Sequence, residues 1–107
     1  MSESLKLIYK ILKILEKSMD YSELDVDRLS PEALGTSLNR RNAILEILLK
    51  KGHIDGIAIK KYVDEESNAI LGLGNIKITV DGLEYLEDNN LMKKAANLAK
   101  GNTEIIN

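Results

Sequence analysis

The stretch Ser30-Pro31-Glu32-Ala33-Leu34-Gly35-Thr36-Ser37-Leu38-Asn39-Arg40-Arg41-Asn42-Ala43-Ile44-Leu45-Glu46-Ile47-Leu48-Leu49-Lys50-Lys51-Gly52 holds a helix start, a turn, a second start and a stop in unbroken succession. Ser30 is a good N-cap because its hydroxyl accepts from a free N–H of the first turn. Pro31 suits the position after it, where its missing N–H costs nothing, and Glu32 complements the positive end of the helix dipole. The short helix Pro31–Leu34 is expected to close at Gly35, which tolerates the left-handed conformation. Thr36 or Ser37 then caps a longer helix running to Lys51, with Lys50 and Lys51 at its negative end and Gly52 beyond it. A short helix, a glycine-containing turn and a longer helix make a helix-turn-helix.

Upstream, Ser4–Lys17 repeats Leu5, Ile8, Leu12 and Leu15 at helical spacing, with Leu7, Ile11 and Ile14 widening the stripe. Lys6, Lys10, Lys13 and Lys17 fall within one arc of about 60° on a helical wheel, so a greasy helix carries a lysine ridge on its wet side. That ridge reads first as a solvated face and second as a set of phosphate contacts. From Met19 to Leu29 the chain is acidic and has no regular period.

Downstream of Gly52 the period changes. Ile54, Ile57, Ile59, Tyr62 and Val63 predict one extended segment and Ile70, Leu71, Ile76, Ile78 and Val80 a second, joined through an acidic tip at Asp64, Glu65 and Glu66. Gly72 and Gly74 predict a bulge or irregularity in the second strand. Thr79 caps a fourth helix through Val80, Leu83 and Leu86, and Leu91–Lys100 forms a final amphipathic segment. The expected architecture is α+β: a winged helix-turn-helix with a three-helix core, a β-hairpin wing and one or two C-terminal helices. Residues 1–101 make the domain and 102–107 a frayed tail.

Composition narrows the function. The 107 residues suffice for one core, and no apolar run is long enough to span a bilayer. Met1–Lys6 has no apolar signal region, and there is no cysteine for thiol chemistry or a Cys-based zinc site, so the expected location is the cytoplasm. Enzymatic function is not expected, nor is a cofactor. His53 is the sole histidine, so neither a paired zinc site nor a Ser-His arrangement is available. Gly72-x-Gly74 is followed by Lys77 where a dinucleotide fingerprint needs glycine. Asp25 and Asp27, like Asp64–Glu66, fall in expected loops, without the burial that tunes a catalytic carboxylate. Tyr9, Tyr21, Tyr62 and Tyr85 are scattered, with no Trp or Phe, which argues against base stacking on a single strand.

Four spaced segments resemble a known family: Asp27–Gly35, Ile44–Leu45 with Lys51–Ile54, Ile78–Leu86, and Met92–Ala96. Together they are similar to the YjcQ-like family of small winged-helix proteins from Gram-positive bacteria and their phages and prophages, over about residues 4–101. The resemblance implies a winged-helix fold and a phage or prophage setting. The acidic tip Asp64–Glu66 departs from DNA-binding winged helices with a basic wing.

The helix over 37–51 carries the candidate site. In a helix-turn-helix the second helix enters the major groove, and its N-terminal residues reach base edges. With Leu38, Ile44, Leu45, Leu48 and Leu49 assigned to the core side, Asn39, Arg40, Ala43, Glu46, Ile47 and Lys50 form the opposite face. Arg matches guanine O6 and N7, and Asn matches adenine N6 and N7. Ser37, Asn39, Arg40, Arg41, Ala43 and Lys50 are therefore the candidate DNA contacts. Ser37–Lys51 has four cations against Glu46 alone, whereas Met19–Gly35 has five acids against Arg28 alone. Glu46, the acidic tip and the net charge of -2 oppose phosphate binding. The expected partner is duplex DNA, read by a transcriptional regulator. The alternative is a winged helix that serves protein interaction or homodimerisation, through Ile47 and the alanine-rich C-terminal helix.

Overall fold

A computed structural model describes residues 2–63 and 68–89. Helix α1 spans Glu3–Ser18, capped by the Ser2 side chain, which accepts from the Leu5 N–H. A single 3-10 turn, Val26–Leu29, precedes α2 (Pro31–Leu34) and α3 (Leu38–Lys50). Four short strands follow: β1 (Ile54–Asp55), β2 (Ala58–Lys60), β3 (Ala69–Leu71) and β4 (Lys77–Ile78). Helix α4, Val80–Asp88, closes the described chain. The architecture is α+β, with four helices and two small antiparallel sheets among the described residues, an order compatible with a winged helix.

The local chemistry of the helix-turn-helix stretch acts as its residues predict. Ser30 Oγ accepts from the Ala33 N–H and Ser37 Oγ from the Arg40 N–H, each at 3.1 Å. Gly35 adopts φ +70°, and two crossed bonds, Gly35 N–H to Glu32 O and Thr36 N–H to Pro31 O, satisfy the last carbonyls of α2. The same paired closure ends α3, where Gly52 and His53 donate to Leu49 and Leu48. Helix α3 therefore stops at Lys50, with Lys51 as its cap.

The core is built from Leu7, Ile11, Leu12 and Leu15 of α1 and Ile44, Leu45 and Leu48 of α3, joined by Leu29, Leu34, Ile54, Ile76 and Leu86. Leu5, expected in the α1 stripe, is exposed: it lies at the rim of an apolar arc wider than the surface packed against it. Leu38, assigned to the core side of α3, is also exposed at 54%, because the buried positions of α3 begin only at Asn42 and the first turn extends past the core. The 3-10 turn in the aperiodic acidic stretch follows from one residue. Leu29 is completely buried, a gain of about 1.5–3 kcal/mol, and Asp25 caps the turn through Asp27 N–H.

The expected two-stranded hairpin is divided into two ladders. Strand β1 pairs with β4 (Ile54 with Ile78, Asp55 with Lys77), and β2 pairs with β3 (Ala58 with Leu71, Ile59 with Ile70, Lys60 with Ala69). Between the ladders, Gly56 and Ile57 on one side face a longer excursion on the other, including the 3-10 turn Leu73–Asn75. The excursion falls where Gly72 and Gly74 predict a bulge or irregularity, and it is larger than a one-residue bulge. Gly56 has φ +90°, and a Cβ there would overlap the Asn75 carbonyl, so the crossing requires glycine. Val80, expected both at the end of the second strand and in the helix capped by Thr79, is the first residue of α4.

Thr79 fastens α4 to the turn after α3. Its hydroxyl accepts from the Gly82 N–H and donates to the Gly52 carbonyl, and its N–H donates to the His53 carbonyl. No helix among the described residues is long and apolar enough to cross a membrane. The segment Leu91–Lys100, the tail 102–107 and the acidic tip Asp64–Glu66 lie outside the described residues.

Candidate nucleic-acid interface

Helix α3 presents Asn39, Arg40, Ala43, Ile47 and Lys50 to solvent along one face. Ser37 at its start is also exposed, and its hydroxyl is occupied with capping. Asn39 and Arg40 have no side-chain hydrogen bond or ion pair among the described residues, so their donors are open for an incoming acceptor. Ile47 is 47% exposed, which leaves an apolar surface beside Ala43 in the middle of the face.

Arg41 is placed differently from its neighbour. Its Nη1 donates to the Leu29 carbonyl at 3.1 Å, and its Nε and Nη2 both donate to Asn42 Oδ1, at 3.1 and 2.9 Å. The guanidinium is half-buried, and burial pushes its pKa down from the ordinary arginine value, with Glu32 acting in the opposite sense. Arg41 thus ties α3 to the turn before α2, while Arg40 is exposed.

Two residues that the sequence pattern did not single out hold the β2–β3 hairpin against α3. Asn42 is a buried polar side chain whose Nδ2 donates to the Asn68 carbonyl at 3.1 Å. Asn68 in turn donates through Nδ2 to Glu46 Oε1 at 2.7 Å. Glu46 Oε2 pairs with Lys50 Nζ at 3.0 Å. Lys50 and then Asn68 hold the Glu46 carboxyl below its usual range. Its charge is therefore engaged by the hairpin and by the next turn of its own helix, which weakens its repulsion of a passing phosphate. The available signal was Asn42 itself, a polar residue at core-facing spacing from Leu45 and Leu49.

The described part of the hairpin is basic. Lys60 and Lys61 are exposed on and after β2, and Lys60 Nζ lies 5.2 Å from the centre of the Tyr62 ring. His53 is half-buried, its ring 5.3 Å from that of Tyr85, and its Nδ1 is buried with no hydrogen-bond partner among the described residues. At the other end of the face, a shallow groove of about 210 Å³ brings Arg40 together with Lys6 and Lys10 of α1.

Neither a curated protein nor a solved structure matches the chain. A family model described as YjcQ protein matches residues 9–105, a span that begins in α1 and contains all of α2, α3, the four strands and α4. The chain belongs to the YjcQ family.

Proposed function

We propose that the protein is a winged helix-turn-helix module that binds duplex DNA without catalysis, as a transcriptional regulator of the phage or prophage type. In this reading α3 enters the major groove, with Asn39 and Arg40 on base edges and Ala43 facing a thymine methyl. The β2–β3 hairpin is the wing, and Lys60 and Lys61 lie over the flanking backbone. Ser37 and Lys50 stand at the two ends of the reading face, and Arg41 holds α3 to the turn that precedes α2.

The observation that carries the reading is the exposed α3 face. It bears an Arg and an Asn whose side chains have no partner among the described residues, and the one acid on it is already bound by Lys50 and Asn68. Selection of bound duplexes from a random pool tests it directly. A common sequence should be enriched, and Asn39→Ala should relax the preference at one position within it. Recovery of no common sequence, with binding intact, would reduce the protein to a non-specific binder.

A second reading has its own support. Leu38 and Ile47, respectively 54% and 47% exposed, give α3 an apolar surface that another protein could cover. Under that reading the module serves protein interaction or homodimerisation, and Ile47→Glu should dissociate an assembly measured by sedimentation.

A further inference from the structure

We infer that the lysine ridge of α1, together with Arg28, is a track for the phosphates of one DNA strand, and that it meets the α3 reading face at Arg40. The inference rests on the duplex-DNA reading above and extends the contact surface to a second element.

The ridge faces a groove of about 480 Å³ against the 3-10 turn and α2, and its walls carry Lys10, Lys13, Lys17 and Arg28 but no carboxylate. Lys13 is already neutralised by Glu16 at 2.8 Å. Lys10 also borders the groove that contains Lys6 and Arg40, where Glu3 is the only acid, so the two grooves join at one side chain. Lys10 Nζ donates to the Ala33 carbonyl at 3.3 Å, which holds the ammonium at that junction. Among the described residues, Lys6, Lys10, Lys17, Arg28 and Arg40 make no ion pair. This happens in a chain with two more acids than bases, where paired cations would be the simplest arrangement. Glu23 and Asp25, which share a neighbouring groove with Arg28, bound the track at its far end.

The shape of the array selects the polyanion. From Lys6 to Lys17 the helix advances about 16 Å, the axial rise of about five phosphates on one strand of a duplex. A small anion would need donors converging on one point, whereas these are spread along a line. Continuity with Arg40 places that line beside the N-terminal end of α3, the end that meets base edges in a helix-turn-helix.

The test is the salt dependence of duplex binding by the full chain, followed by fluorescence anisotropy for the wild type, for K10Q/K17Q/R28Q and for E16Q. Each phosphate contact contributes about 0.9 to the slope of log affinity against log salt. The triple variant should therefore be shallower by about 2–3, with its preferred sequence unchanged. E16Q should be steeper by about 1, because it frees Lys13. Matching circular dichroism melts would show that all three chains fold alike. Wild-type binding with the same slope in all three would overturn the track and leave α3 as the reading element. Absence of duplex binding by the wild type would overturn the DNA reading and the track with it. Loss in the triple variant of binding to anionic vesicles, with duplex binding unaffected, would reassign the ridge to a membrane surface and overturn the proposal.

Discussion

Two adjacent arginines on α3 stand in opposite surroundings, and on the DNA reading their substitution should separate stability from binding. Arg41→Ala leaves the Leu29 carbonyl and Asn42 Oδ1 without their donor, a loss of about 1–3 kcal/mol for partly buried acceptors, readable by urea denaturation. Arg40→Ala removes no interaction within the described residues and should leave the same midpoint unchanged. The two residues look alike in sequence, and both were candidate DNA contacts. The signal that distinguishes them is the contact of Arg41 with Leu29, twelve positions away along the chain and invisible to helical periodicity. Glu46 supplies a pH prediction. Its carboxyl is held below its usual range by Lys50 and Asn68, so its stabilising contribution is complete above the ordinary carboxylate range and is lost as pH falls through the lowered value. The stability gap between wild type and Glu46→Gln should therefore be fully open at about pH 7 and should narrow as pH falls below the ordinary carboxylate range. A gap independent of pH would show that the carboxylate is not held by its partners.

At the scale of elements, whatever depends on neighbours along the chain was legible. Ser30, Pro31, Gly35 and Ser37 set the boundaries of α2 and α3, and Thr79 set the start of α4, through bonds that span a few residues. Elements that depend on distant partners were less so. The 3-10 turn Val26–Leu29 exists because Leu29 reaches the core, and the split of the hairpin follows from the close crossing of Gly56 and Asn75. Neither appears as a period in the sequence. Leu38 shows the same limit: its spacing places it with Leu45 and Leu49, but the core ends a turn before it. The cap at Thr79 also joins two elements, since its hydroxyl donates to the Gly52 carbonyl. Thr79→Ala should therefore cost more than a simple cap loss of about 1 kcal/mol, and Thr79→Ser should recover most of it. Equal destabilisation by both would mean that the methyl group matters and the hydroxyl does not. Gly82→Ala should be more severe still, because a Cβ there would overlap the His53 carbonyl and the Ile78 side chain.

For the whole molecule, the distribution of charge matters more than its sum. The net charge of -2 argues against a polyanion partner, yet many of the acids fall in three clusters, Met19–Gly35, Asp64–Glu66 and Asp81–Asp88, while Lys6, Lys10, Lys17 and Arg40 remain unpaired among the described residues. A local field of that kind is sufficient to attract a backbone of phosphates even when the total is slightly negative. The clamp from Asn42 and Glu46 to Asn68 keeps the β2–β3 hairpin beside α3, so helix and hairpin face a partner as one surface. The most direct test of the DNA reading is fluorescence anisotropy of the full chain with a pool of random duplexes at low and moderate salt, for wild type and Arg40→Ala. The reading predicts wild-type binding that weakens steeply with salt and a loss of about 1–3 kcal/mol in Arg40→Ala. No wild-type binding at low salt, or equal binding by the two chains, would contradict it and favour a protein-interaction module.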